Sequence, residues 1–393
     1  MSTFAAVMTG KGTGAISTIQ ILGDSAEAII NKVFKPISSK SVEFKTGEIL
    51  LGTISDGSKV IDQVTIGCED PDTFAINCHG NPLIVEMIMQ LLRRHGAALL
   101  TTEQLLEKIL TVKQPANTIA VEAKLAQAKA KTLQGTKIIM NQIDAGLTKK
   151  IRDWLENVHE ISLDMIKTEA AQILQKSQAA KLIIYGCTAV LTGLPNSGKS
   201  TLLNCMAGRQ KAIVTDIKGT TRDWVSARCR TGPLSVKLID TAGLDEKLKG
   251  TENIIDESAQ KKTVDILEWA DIVLLILDNS QSMEEFDEQF LDKIGNKKIV
   301  TVLNKSDLPA QYDDEKLPEI LSNTVRISAK KGTGIESLSE KIIKTTGTVD
   351  FDLREPVCFT FRQEKILKEL TNAKSKQQAT SIITELLKGR ICV

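Results

Sequence analysis

Between Gly186 and about Thr348 the chain alternates short apolar runs with amphipathic stretches. "TAVLTG", "VKLID", "DIVLLILD", "KIVTVLNKSD" and "TVRISAK" read as strands, β-branched or leucine-rich and largely apolar on both faces. Such runs belong to a parallel sheet covered by helices on both sides. Residues 1 to about 113 read as mixed α/β. There, β-rich "AISTIQILG" and "VIDQVTIGC" precede an amphipathic helix, "NPLIVEMIMQLLRRHG", closed by a glycine. From Pro115 the texture turns helical: Ile119, Ala123, Ala126, Ala130 and Leu133 repeat at spacings of four and three, one face of a helix. Helical character is expected to about Tyr185 and again over 361–393, where Ile366, Leu370, Ala373, Ile382, Ile383 and Leu386 are the apolar positions. The two helical stretches flank the alternating unit, so they are expected to form one discontinuous bundle with that unit inserted. The expected segments are 1–113, 114–185, 186–347 and 348–393.

Bulk properties narrow the class only slightly. The chain has 393 residues, 42% hydrophobic and 25% charged, with a net charge of +1, the balance of an ordinary soluble globular protein. Composition gives no electrostatic reason to expect nucleic acid or an anionic membrane. Cysteines 68, 78, 187, 205, 229, 358 and 392 form no CxxC pair, and histidines 79, 95 and 159 show no metal-ligand spacing. The opening "MSTFAAVMTG" lacks a signal-peptide pattern, and the longest apolar run, Ile272 to Leu277, is far short of the roughly 20 residues that span a bilayer. A cytoplasmic location is the expectation.

Chemistry enters at "GLPNSGKS", Gly193 to Ser200, which follows an apolar strand and opens the helix "STLLNCMAG". This is the phosphate-loop pattern in the setting it requires. Its glycines let backbone N–H groups turn inward around phosphate oxygens, and the helix N-terminus adds its positive dipole end. Asn196, Ser197, Gly198, Lys199, Ser200 and Thr201 are the candidate phosphate-site residues. Lys199 is expected to reach the β- and γ-phosphates, and Ser200 to offer its hydroxyl to Mg²⁺. "DTAG" ends the next core strand, where Asp240 can hold magnesium through water and the Gly243 N–H can touch the γ-phosphate. The other glycine-rich runs, at 10–14 and 331–334, lack this setting and read as turns.

The base is read by "NKSD", Asn304 to Asp307. The Asp307 carboxylate can accept from guanine N1–H and from the exocyclic amine, donors that adenine does not offer in that geometry, so GTP is selected over ATP. Asn304 is expected to brace the loop and the Lys305 stem to cover the ring. "ISAK" supplies Ser328, Ala329 and Lys330, with the Ala329 N–H facing guanine O6. The fold class expected is therefore α/β and α: an N-terminal α/β domain, a discontinuous helical bundle and an inserted P-loop GTPase domain with a mostly parallel sheet.

Hydrolysis poses a question, because Leu244 stands where many nucleotide hydrolases place a water-orienting glutamine. "IVTDIKGTTRD" carries first-switch threonines, and the geometry favours neither Thr220 nor Thr221 for closing on Mg²⁺.

With "GLPNSGKSTLLN", "AIVTDIKGTTRD", "IDTAGL", "NKSD" and "SAK", the chain resembles the tRNA-modification GTPases called MnmE or TrmE. GTPases of the Era and EngA type share several of these motifs without the flanking segments. The resemblance implies an N-terminal folate-binding domain, a helical domain interrupted by the GTPase domain, and a homodimer whose G domains pair across the nucleotide. It also implies K⁺ beside the phosphates, held by Asn196 and first-switch carbonyls around Lys218 to Thr221. On that basis Thr221 is assigned to Mg²⁺ and Thr220 to K⁺. The implied partners are tRNA, modified at its wobble uridine, and an FAD-dependent protein of the MnmG type. An excess of seven Lys/Arg over three Asp/Glu across 361–393 is compatible with either partner.

The sequence also departs from the family. The family's water-orienting glutamate falls on Lys261, with Glu252, Asp256 and Glu257 nearby, so slow, potassium-stimulated hydrolysis is expected. The chain ends "LLKGRICV", where Cys392 lacks the family's trailing Gly-Lys. "TGKGTGAIS" and "DPDTFAINCHGNP" replace segments that shape the folate pocket, which puts formyl-tetrahydrofolate binding in doubt. These departures keep an alternative open: a diverged paralogue serving as a GTP-dependent dimerising switch without modification activity.

Overall fold

A computed structural model describes residues 2–10, 12, 14–37, 44–113, 117–208, 225–240, 267–281, 294, 297–311 and 317–389. They fall into two compact units, one within residues 1–121 and the other Glu122–Gly389. Among the described residues no helix is long and apolar enough to cross a membrane.

The first unit is built on a seven-stranded sheet. Its elements in chain order are β1 (Phe4–Val7), β2 (Ile16–Leu22), α1 (Ala26–Val33), β3 (Phe34–Pro36), β4 (Ile49–Asp56), β5 (Lys59–Asp70), β6 (Thr73–His79), α2 (Pro82–Arg94), β7 (Ala98–Leu99) and α3 (Thr102–Lys113). The strand order is β3-β4-β5-β6-β2-β1-β7, antiparallel except for β1 with β7. Alternation drives the layering: Val64, Ile66 and Cys68 of β5 face inward with Phe74, Ile76 and Cys78 of β6 against Ile30, Ile88 and Leu92. α2 starts where the Asn81 side chain accepts from the Leu83 N–H with Pro82 next, and it ends on Arg93 and Arg94, which suit the negative end of its dipole.

The second unit holds the other sheet and a helical bundle. Helices α4 (Thr118–Gln127), α5 (Leu133–Asp144), α6 (Gly146–Glu156) and α7 (Leu163–Tyr185) lead to β8 (Cys187–Thr192) and α8 (Lys199–Gly208). β9 (Val225–Thr231), β10 (Leu234–Asp240), β11 (Ile272–Asp278), β12 (Ile299–Asn304) and β13 (Thr324–Arg326) follow, then α9 (Ile335–Thr346), α10 (Phe361–Thr371) and α11 (Lys376–Lys388). The sheet order is β13-β12-β11-β8-β10-β9, parallel apart from the β9–β10 hairpin. β8 therefore lies between β10 and β11. That is where strand order reverses and where open α/β sheets present a crevice at their carboxyl ends.

The apolar stripe expected to run through Leu133 is interrupted. The chain turns after Gln127, and Thr132 caps a new helix, its hydroxyl accepting from the Gly135 N–H at 2.9 Å and donating to the Ile183 carbonyl at 2.7 Å. Leu133 is left 63% exposed. Nothing in an Ala/Lys/Gln-rich segment marks that break except the capping threonine.

Helices from both sides of the sheet pack together, α10 against α7 and α11 against α6. At their centre Gln142, fully buried, uses its whole amide. Nε2 donates to the Ile138 and Glu355 carbonyls, each at 3.0 Å, and Oε1 accepts from Leu147 N at 2.8 Å and Val357 N at 3.1 Å. A second buried polar knot joins Glu122 to α10: Arg362 donates to both its oxygens at 2.9 Å, Thr360 adds a bond at 2.8 Å and Gln363 one at 2.7 Å. Arg362 also caps α11 by donating to the Glu385 and Leu386 carbonyls. Removing one member of a buried ion pair strands its partner, at about 3–5 kcal/mol. Glu122→Ala is therefore expected to lower stability by about 4 kcal/mol, measured by urea unfolding followed in far-UV circular dichroism. Glu122→Gln, which keeps one acceptor, is expected to lose less.

Candidate functional site

The segment between β8 and α8 carries the predicted phosphate-loop residues. Gly193 leaves the strand at φ 144, and a β-carbon there would run into the Ile276 carbonyl oxygen. Gly198, at φ 99, packs so closely on Asn304 that a β-carbon would meet its amide nitrogen. Asn196 also takes a left-handed turn, φ 65. Left-handed turns of this kind let successive N–H groups converge into a concavity suited to anions, and α8 begins at the end of this one. Among the described residues the buried Ser197 hydroxyl has no hydrogen-bond partner, a costly arrangement that a bound phosphate oxygen would relieve. Lys199 is 3% exposed, its ammonium folded onto the Gly193 and Leu194 carbonyls at 2.7 and 3.1 Å. The Ser200 hydroxyl donates to Asp240 Oδ2 at 2.6 Å, so the two predicted magnesium ligands, from α8 and from the end of β10, are in direct contact. Thr201 follows on the exposed side of α8.

On the base side, Asn304 ends β12 at 2% exposure. Its Nδ2 donates to the Ser197 carbonyl at 2.8 Å and its Oδ1 accepts from the Ala329 N–H at 3.0 Å. Lys305 follows at φ 61. Asp307 Oδ1 accepts from the Ser328 hydroxyl at 2.6 Å, and Ser328 Oγ accepts in turn from Lys331 N at 3.1 Å. That hydroxyl, with the nearby Lys331 and Lys330 charges, holds the Asp307 carboxyl below the ordinary carboxylate value. It is thus kept an acceptor, as guanine recognition requires.

The structure brings Asn196 through Thr201, Asp240, Asn304 through Asp307 and Ser328 through Lys330 to the carboxyl end of one sheet. Thr220, Thr221, Gly243, Leu244, Glu252, Asp256, Glu257, Lys261 and Cys392 lie outside the described residues. One residue that sequence reasoning passed over is Asp278, which ends β11 opposite Asn304 in the register. Its signal was its position: like Asp240, it closes an apolar strand.

A parallel sheet with a phosphate loop at its reversal point, and a base-facing loop tied to it, defines a P-loop GTPase. Residues 188–305 match the family described as 50S ribosome-binding GTPase, and residues 3–103 match GTP-binding protein TrmE N-terminus. The tRNA modification GTPase MnmE of Clostridioides difficile (strain 630) is 30% identical over 380 residues, covering 86% of this chain and 81% of that protein. MnmE of Enterococcus faecalis (strain ATCC 700802 / V583) is 31% identical over 377 residues, 86% and 80% of the two chains. MnmE of Bacillus subtilis (strain 168) is 30% identical over 382 residues, 87% and 82%. The chain belongs to the MnmE family and is a GTP-hydrolysing enzyme.

Asn304→Ala removes both bonds that join the two loops and leaves the Ala329 N–H buried without its acceptor. A buried unpaired group costs about 1–3 kcal/mol. The nucleotide-free protein is expected to lose about 2 kcal/mol, and guanine-nucleotide affinity to fall about tenfold or more, as read by thermal melts and calorimetric titration.

Proposed function

We propose that this chain couples GTP binding and hydrolysis to modification of the tRNA wobble uridine. The observation that carries the GTP reading is the pairing of Ser200 with Asp240 at the head of a loop whose buried Ser197 hydroxyl lacks a partner among the described residues. The link to tRNA rests on family membership over both matched segments.

In this reading backbone N–H groups of 194–201 surround the phosphates, and Lys199 exchanges its two loop carbonyls for β- and γ-phosphate oxygens. Ser200 and Asp240, with Thr221, would hold Mg²⁺, which would neutralise charge shared between the β- and γ-phosphates. Asn196 and Thr220 would hold K⁺, which would supply further positive charge to the phosphates. The Gly243 N–H would contact the γ-phosphate. Asp307 accepts from the guanine edge, the Lys305 stem covers the ring, Asn304 braces the pocket, and Ser328, Ala329 and Lys330 close it. The working assembly is a cytoplasmic homodimer that meets tRNA and an MnmG-type FAD-dependent protein, with the domain division 1–113, 114–185, 186–347 and 348–393.

Two measurements test the nucleotide reading. GTP is expected to bind at least about a hundredfold more tightly than ATP, because a site built on hydrogen bonds to one base rejects a base lacking them. Asp307→Asn is expected to shift that preference toward xanthosine triphosphate, whose C2 carbonyl accepts from an amide. Equal binding of ATP and GTP overturns the base assignment. Single-turnover hydrolysis is expected to be slow and several-fold faster in KCl than in NaCl; fast turnover in sodium removes the potassium assignment. Mass spectrometry of tRNA nucleosides from a deletion strain is expected to show loss of the wobble modification. Unchanged nucleosides beside intact GTP binding favour the dimerising switch without modification activity.

A further inference from the structure

We propose that Asp278 is a positioning residue for guanine-nucleotide binding, acting through Lys305. The inference rests on the reading of 304–307 as the base-recognition loop and goes beyond it by assigning the anchor that loop depends on.

The Asp278 side chain is 9% exposed at the end of β11 and both its oxygens are committed. Oδ2 lies 2.6 Å from Lys305 Nζ, while Oδ1 accepts from Ser280 N at 3.0 Å and from Ser280 Oγ at 2.7 Å. The serine bonds fix the carboxylate plane, so the oxygen offered to the lysine has one direction. Burial alone would raise this carboxyl, but the Lys305 and Ser280 bonds outweigh it and hold the group below its ordinary value. The charge that anchors Lys305 is therefore retained.

Lys305 is held at both ends. Its backbone sits in a left-handed turn at φ 61, with its carbonyl accepting from Leu308 N at 3.0 Å. The preceding Asn304 carbonyl accepts from Asn279 N at 2.9 Å. Asn279, 2% exposed, is itself braced by Gln311 N on its carbonyl and by Arg326 on its side chain. The lysine stem is thus stretched between a fixed turn and a fixed carboxylate. A free lysine samples many rotamers and loses them when a ligand packs on it, whereas a tethered stem presents its methylenes in advance. Sequence reasoning gave Lys305 the role of covering the ring; the Asp278 tether is what keeps that cover in one place.

The test is a double-mutant cycle on the full chain, with GDP affinity measured by calorimetry. Asp278→Asn is expected to weaken GDP binding about tenfold in the wild-type background and less than about twofold in a Lys305→Met background, because the lysine is the route of its effect. Equal losses in the two backgrounds, or no loss in either, overturn the proposal. Melting of each nucleotide-free variant is recorded alongside. If Asp278→Asn melts below the assay temperature, Asp278→Glu, whose longer arm displaces the ammonium, is put through the same cycle: a loss confined to the wild-type background supports the tether, and equal losses or none overturn it. Asp307→Asn serves as the control: should it bind GDP like the wild type, the base-loop reading itself fails, which is distinguishable from failure of the Asp278 tether.

Discussion

One side-chain amide holds the two halves of the candidate nucleotide site in register. Asn304 donates to the carbonyl of Ser197 in the phosphate loop and accepts from the N–H of Ala329 on the base side, from a position 2% exposed. Only a group with a donor and an acceptor on one planar end can do both. Aspartate lacks the donor, and alanine lacks both. Gly198 follows from the same constraint, since a side chain there would occupy the space of the Asn304 amide. The glycine required at that point of the phosphate motif and the asparagine of the base motif are thus two sides of one contact, though 106 residues separate them (304 against 198).

The sheet makes that contact possible. β10, β11 and β12 each end on a polar residue, Asp240, Asp278 and Asn304; the runs before them are buried throughout in β11 and β12 and alternate in β10, where Lys237 is exposed. Parallel pairing puts those ends on one edge, with Asp278 opposite Asn304 and Asp240 opposite Leu191 of β8. Hydrophobic burial sets the register, and the register places the polar ends. The two acids flanking β11 show how environment then divides their chemistry. Asp271, just before the strand, has its carboxyl raised chiefly by burial, although Thr188 N and nearby lysines oppose that. Asp278 is half-buried, yet the Lys305 and Ser280 bonds outweigh burial and lower it.

Legibility from sequence followed the same physics. β8, β11 and β12 were readable because strands covered on both faces are largely apolar runs, and β10 because its buried Val236, Leu238 and Ile239 close on Asp240. β9 was passed over because it is the edge strand: Ala227 and Cys229 are buried while Arg228 and Arg230 face out, an alternation too short and too charged to stand apart from loop. The phosphate and base motifs were legible because backbone geometry and ligand chemistry fix residue types within a few positions of one another. Asp278 was not, since its meaning comes from a lysine 27 residues later that only the folded sheet brings to its side. The break at Thr132 hid for a related reason: its hydroxyl gains weight from the Ile183 carbonyl, far along the chain.

The helical bundle adds a constraint on how the sheet can move. The chain leaves the bundle for the sheet after Tyr185 and has rejoined it by Phe359, and the Tyr185 hydroxyl donates to the Phe359 carbonyl at 2.7 Å. One and two residues further back, the Cys358 N–H meets the Ser177 hydroxyl at 2.8 Å and the Val357 N–H meets Gln142. Both crossings are therefore fastened at one place by buried hydrogen bonds. Gln142 reaches saturation only when the returning segment is seated, because two of its four bonds go to residues 355 and 357. A buried amide left half-paired is costly, so closing the bundle requires both flanks of the sheet to be in place. The discontinuity in sequence thus makes the bundle's integrity conditional on the inserted domain's ends lying side by side.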